Sequence, residues 1–335
     1  MDRRKGNPGM AAHYRPETRR TMALSSPASP MFDSPVSVIL PVYNRQDSVA
    51  RAIQSVLAQT GAAVDLIVVD DGSTDGTREV LAEFGSRITV IEQPHAGPYV
   101  ARNHALRHAR GELVAFIDSD DAWLPDRLAV QLPSMLRPEV GLVFGDVVHV
   151  SPGRIAERGH LTSFQVAPPH RGRAAAQFAW CNFVPTSTVL VRRRCLEEAG
   201  CFSEAEVRSS DYLMWFRIAL RHELDFVSRV VAEYTLSADG ISRDLGRSID
   251  ARIRLFSDEL ARTGDPAART VLRRLLFNLS CSLALAAMRN RAGNVSHPLR
   301  RAWVTATAAA NREAAPWTAA FAMNQIRVRT RRLFS

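Results

Sequence analysis

Two acidic clusters in this 335-residue chain have the residue types and spacing for chemistry: Asp70-Asp71-Gly72-Ser73-Thr74-Asp75 and Asp118-Ser119-Asp120-Asp121. Each follows an apolar run, Leu66 to Val69 and Leu113 to Ile117, that reads as a buried parallel strand. Open α/β sheets bind ligands at strand C-termini, so both clusters are expected there. Carboxylates crowded as in Asp118, Asp120 and Asp121 repel one another unless a divalent cation or a donor-rich ligand offsets them. Mg²⁺ and Mn²⁺ prefer such oxygens. The natural ligand for that metal is a diphosphate.

The elements that would position these clusters are legible in the hydrophobic pattern. Val36 to Pro41 reads as a strand, Asp47 to Gln59 as a helix with Val49, Ala52, Ile53 and Val56 on one face, and Leu66 to Asp70 as the next strand. A helix from Thr74 to Phe84, a strand from Ile88 to Gln93, a helix from Ala101 to Arg110 and a strand from Glu112 to Ile117 continue the alternation. This order predicts an α/β fold with a mostly parallel central sheet flanked by helices. Pro41-Val42-Tyr43-Asn44 stands where a dinucleotide-binding fold needs Gly-x-Gly-x-x-Gly, which argues against a nicotinamide or flavin oxidoreductase. Farther on, Leu142 to Val148 and Thr188 to Val191 read as strands and Tyr212 to Leu220 as a helix. Residues 151–173 read as a polar loop beside the site, and the chain from Ile249 onward has a helical, Ala- and Arg-rich pattern.

Composition excludes further classes. Lys5 is the sole lysine, which removes P-loop nucleotidases, protein kinases and pyridoxal phosphate enzymes, all of which need a lysine in their core. The net charge of +9 divides into +3 over residues 1–34, −4 over 35–249 and +10 over 250–335. No nucleic-acid-binding motif accompanies the basic end. Cys181, Cys195, Cys201 and Cys281 have no CxxC spacing, and no early apolar segment resembles a signal peptide, so reduced thiols and a cytoplasmic setting are expected. The richness in Ala and Arg suggests a bacterial source. His95, His149 and His160 lack metal-ligand spacing and read as solvated or packing residues.

Four ordered stretches together resemble family 2 glycosyltransferases, inverting enzymes of GT-A (Rossmann-like) fold that use nucleoside diphosphate sugars. These are Val36 to Asn44, Val68 to Thr77, Gly97 to Gly111 and Phe116 to Leu128, within a resemblance covering about residues 35–245. It implies a flexible leader (1–34), a GT-A domain (35–248) and a basic helical C-terminal extension (249–335). Pro41, Tyr43 and Asn44 would meet the nucleotide, and Asp71 would accept a base N–H with uracil-like selectivity. Asp70 would assist or instead stabilise the turn. Asp120 would meet the ribose or metal and Asp121 the Mn²⁺ or Mg²⁺ ion on the donor diphosphate, with Asp118 and Asp120 as the alternative Asp-x-Asp pair. Arg102 and Asn103 would serve the donor phosphates or form a surface ion pair.

Asp211 matches the aspartate of the family's Glu-Asp-x-x-x-Trp segment and is the expected base, with a helix N-cap as its other role. Ser210 replaces the usual Glu. Asn182, Thr186 and Trp215 would lie on the acceptor side, and Thr235 and Ser237 stand where relatives often carry Arg and His. The expected activity is transfer from a nucleotide sugar, a UDP-sugar above all, to a glycan or lipid-linked hydroxyl in cell-surface polysaccharide or glycolipid synthesis. The alternatives are a catalytically weak nucleotide-sugar-binding or scaffold protein and a nucleotidyltransferase. Arg327, Arg329, Arg331 and Arg332 alternate with apolar residues, which suits either peripheral contact with the inner face of the cytoplasmic membrane or a solvated basic end.

Overall fold

The computed structural model describes residues 32–151, 154–159, 171–236 and 245–289. The leader before residue 32, most of the 151–173 loop, His160, Ser237 and the arginine-rich end lie outside the described residues.

The first half alternates strand and helix: β1 (Val36–Val42), α1 (Val49–Leu57), β2 (Val64–Asp70), α2 (Thr77–Ala82), β3 (Thr89–Glu92), α3 (Pro98–Leu106) and β4 (Leu113–Phe116). The four strands pair in parallel in the order β3-β2-β1-β4. Every residue of β1 is buried, as expected of a central strand covered on both faces, and it is apolar apart from Ser37, whose hydroxyl accepts the Arg110 and Gly111 N–H groups. Period-two alternation still sorts its side chains. Val38, Leu40 and Val42 pack with Ile53 and Val56 of α1 on one face, while Ile39 joins Ala101 and Ala105 of α3 on the other.

The second half runs β5 (Ala122–Trp123), α4 (Arg127–Gln131), β6 (Val140–Ser151), β7 (Arg154–Gly159), β8 (Leu190–Arg192), α5 (Arg193–Ala199), α6 (Ser210–Arg221), β9 (Glu223–Thr235), α7 (Leu245–Arg262) and α8 (Pro266–Arg289). The sheet continues past β4 as β8-β6-β9-β5, with β7 on β6, and here only β6 and β9 are parallel. The sheet is therefore parallel at its N-terminal end and mixed beyond.

The long strand β9 has no counterpart in the sequence reading, because Glu223-Leu224-Asp225-Phe226 is too short an alternation to stand out after an amphipathic helix. It carries Tyr234 and Thr235 back to the acidic loop after β4. Helices α7 and α8 bring Leu255, Phe256, Leu272 and Leu275 into the same hydrophobic cluster as Phe116 and Trp215. These two helices thus share the core of the sheet and its helices. Among the described residues no helix is long and apolar enough to cross a membrane.

Candidate active site

A cleft of about 690 Å³ opens where β1, β2 and β4 end. Its floor is set by two loops stitched together. The left-handed Asn44 (φ 50°) ends β1 and turns its Oδ1 to accept the Thr74 N–H at 2.8 Å, while the Asn44 N–H donates to Ser73 Oγ at 3.0 Å. Asp70 closes the second loop from beneath. It is fully buried, accepts the Ser73 N–H at 3.0 Å and pairs with Arg78 at 2.8 Å. Asp70 is not among the residues lining the cleft; its contacts are with the turn and Arg78.

Asp71 faces the cleft and is held by the segment after β3. Its carboxylate accepts Gln93 Nε2 at 2.7 Å and the N–H groups of Ala96 and Gly97 at 2.9 and 2.8 Å. His95 Nδ1 lies 2.9 Å from the same carboxylate, and its ring stacks on Tyr43 with centroids 4.0 Å apart. The sequence reading gave His95 no role in the site because a lone histidine carries no spacing signal; the structure makes it half of an aromatic wall. Gly72 permits this approach. At φ +78° a Cβ would sit 2.8 Å from the His95 backbone nitrogen. Gly72→Ala is expected to cost about 2–3 kcal/mol through left-handed strain and that backbone clash. Chemical denaturation should show a midpoint shift of that size, and an unchanged midpoint would contradict the packing.

After β4 the carboxylates divide. Asp118 and Asp120 line the cleft, whereas Asp121 is 1% exposed behind it, accepting the Ser187 hydroxyl at 2.5 Å and the Thr235 N–H at 2.9 Å. Burial first, and then Asp118 and Asp120, push the Asp121 carboxyl well above the usual carboxylate range. Asp121, expected from the resemblance to meet the metal, here ties the loop to Ser187 and to Thr235 of β9. Thr235, where relatives often have Arg, also accepts Arg51 Nη2 at 2.9 Å, and that guanidinium meets Glu233 at 2.9 Å. Arg102 reaches Asp118 at 2.5 Å from α3, under the Tyr99 ring at 5.1 Å. Burial works against its charge, but Asp118, Tyr99 and Asp211 outweigh it and raise the guanidinium pKa. Asn103, the next residue, points away. It clasps Phe202 through both its amide groups and meets Glu204 at 2.8 Å, so it holds the 202–204 turn and does not line the cleft.

Asp211 enters the cleft in the first turn of α6, whose N-cap is the left-handed Ser209 (φ 63°). Its Oδ1 accepts the Tyr99 hydroxyl at 2.8 Å, and its Oδ2 accepts Asn182 Nδ2 and Thr186 Oγ1, both at 3.2 Å. Burial above all, with Asp211 adding, pushes the Tyr99 phenol well above its usual pKa, so it stays a donor at neutral pH. Asn182 and Thr186 thus orient Asp211; of the two only Asn182 also lines the cleft. Trp215, expected on the acceptor side, is fully buried against Phe116 and Phe202 at 5.7 and 5.8 Å. It sits one helical turn on from Asp211, on the core face of α6, and supports the site from below.

The arrangement holds an aromatic wall over a carboxylate, two cleft-facing aspartates beside an arginine, and a separate triply bonded carboxylate. Pro41, Tyr43, Asn44, Asp71, Arg102, Asp118, Asp120, Asn182 and Asp211 come together around one cavity. Tyr99, Tyr234, Arg208, Ser248 and Arg252 also line it, and none of these five had been assigned a role from sequence.

The profile of Glycosyl transferase family 2 matches residues 37–200. The chain is 31% identical over 240 residues to WfgD of Escherichia coli, a UDP-Glc:alpha-D-GlcNAc-diphosphoundecaprenol beta-1,3-glucosyltransferase, covering 69% of this chain and 90% of that one. It spans about a third of two longer glycosyltransferase relatives from Rickettsia. Its fold is similar to that of S. aureus TarS 1-349, with a TM-score of 0.60, 19% identity and coverage of 82% of this chain and 80% of that one. It is also similar to the mannosyltransferase PcManGT of Pyrobaculum calidifontis in complex with GDP-Man and Mn²⁺, with a TM-score of 0.57, 22% identity and 84% of each chain covered. The resemblance carried by the four sequence stretches and the GT-A architecture of the cleft agree with these likenesses: the chain belongs to glycosyl transferase family 2 and is a glycosyltransferase.

Proposed function

We propose that the chain transfers a sugar from a UDP-sugar to a hydroxyl of a lipid-linked glycan, with inversion at the anomeric carbon, in cell-surface polysaccharide or glycolipid synthesis. The observation that carries this reading is that one cleft joins the Tyr43–His95 wall and Asp71 to Asp118, Asp120 and Asp211. WfgD's name gives both a UDP-sugar and a lipid diphosphate acceptor, and TarS has been solved with UDP-GlcNAc.

The base stacks on Tyr43, with Asp71 at its hydrogen-bonding edge. Arg102 bears on the diphosphate through the Asp118 pair, a charge-assisted contact in a shielded site. Asp118 and Asp120 fit a divalent ion whose remaining ligands come from substrate, as Mg²⁺ sites commonly do with one or two carboxylates plus phosphates. Among the described residues there is no group of three or more His, Cys, Asp or Glu that would hold one unaided. Such an ion would offset charge on the departing diphosphate. Asp211 removes the acceptor hydroxyl proton as that oxygen bonds the anomeric carbon and the carbon–oxygen bond to the diphosphate breaks. Tyr99, Asn182 and Thr186 keep the carboxylate aimed during the displacement.

Release of UDP from a panel of UDP-sugars, with a short-chain GlcNAc-diphospholipid as acceptor, tests the reading. Acceptor-stimulated release from one sugar is expected, and no release from any sugar with several diphospholipid acceptors would overturn it. Tyr43→Ala should weaken UDP binding about tenfold, since base stacking on an aromatic contributes roughly 1–2 kcal/mol. Calorimetry of the folded variant checks this.

A further inference from the structure

The wall of the cleft beyond Asp211 is basic, and the donor reading does not use it. Arg208 precedes the N-cap of α6, and Arg252 reaches across from α7. Both line the cleft. Arg252 donates through Nε to Ser209 Oγ at 2.9 Å and lies over the Tyr212 ring at 5.8 Å, which leaves its two terminal nitrogens for another acceptor. Among the described residues, Arg208 Nη1 meets the hydroxyl of buried Ser248 at 3.4 Å. Among the described residues neither guanidinium is within salt-bridge distance of a carboxylate. This contrasts with Arg51, Arg78, Arg102, Arg217 and Arg254, all of which are paired. Ser210 adds to the effect: the family's Glu at this position would bring a further negative charge, while the neighbouring Glu206 and Asp250 carboxylates are taken up by Arg254.

These two half-buried cations, without a carboxylate partner among the described residues and lining the cavity that Asp211 enters, are placed for an anion to complete them. We propose that Arg208 and Arg252 form a phosphate subsite that grips the acceptor's phosphate or diphosphate and so presents its sugar hydroxyl to Asp211. Planar guanidinium forks suit phosphate oxygens, and a neutral glycan would leave both unmatched. The C-terminal helices then serve the acceptor directly. This rests on the transferase reading and assigns its substrate class to residues.

The test uses the full chain loaded with saturating UDP and Mn²⁺, so that the donor diphosphate position is already filled, and titrates in dibutyl phosphate and P¹,P²-dibutyl diphosphate by calorimetry. Binding of at least one by wild type is expected, weakened about tenfold or more in Arg208→Gln and in Arg252→Gln, with UDP affinity held within about twofold. Stronger binding of the diphosphate identifies a lipid diphosphate as the group recognised, and stronger binding of dibutyl phosphate a single phosphodiester. Lack of binding to the UDP-loaded wild type, or variants that lose UDP instead, would overturn the proposal and return the arginines to the donor or to packing. Arg208→Gln breaks only the long Ser248 contact, so it reads the subsite even if Arg252→Gln fails to fold. Failure of wild type to bind UDP at all would count against the transferase reading itself and is scored separately.

Discussion

Asp211→Asn is expected to lower kcat by about 10³-fold while leaving UDP affinity nearly unchanged, the range set by loss of a general base. The amide keeps the shape of the carboxylate: its oxygen can accept from Asn182 and Thr186, and its NH2 can donate to the Tyr99 hydroxyl, which turns to accept. What it cannot do is take a proton. Because no other described carboxylate shares that web of donors, the loss should fall on turnover rather than on either KM. Steady-state kinetics with calorimetry of UDP separates the two. A variant with wild-type turnover would remove Asp211 from the chemistry and favour a binding protein over an enzyme.

The second large effect concerns Asp118 and Asp120. Chelation by EDTA is expected to lower turnover by about 10³-fold or more, restored by Mn²⁺ or Mg²⁺, since offsetting charge on a leaving diphosphate is worth several kcal/mol. Asp120→Ala should match that loss and resist rescue by added metal. Asp121→Asn should behave otherwise. Its carboxyl is buried between Ser187 and Thr235, so the substitution should reach stability before it reaches metal dependence. If Asp121→Asn alone abolished metal-dependent turnover in a folded protein of normal stability, the division of labour between these neighbours would be wrong.

The central strands were legible because a parallel strand covered on both faces must be largely apolar, as Val38 to Leu40 and Leu113 to Phe116 are. The clusters at their ends were legible because Asp, Gly and Ser there answer to local turn geometry and ligand charge together. Orientation was not. Asp70 and Asp71, like Asp120 and Asp121, are adjacent, and only the fold shows which of each pair enters the cleft and which supports the loop. Asn103 and Trp215 were read as ligand-facing because motifs carry no information on side-chain direction. His95 and Arg252 were missed for the complementary reason. Each reaches the site from a segment without a motif, brought there by the turn at Gly72 and by burial of Phe256 in the common core.

The most direct test of the central claim is calorimetric titration of the intact chain with UDP and GDP, first with Mn²⁺ and then with EDTA. The cleft described here predicts UDP binding that depends on the metal and weakens in Tyr43→Ala and Asp120→Ala. Failure of the folded protein to bind either nucleotide under any of these conditions would contradict it.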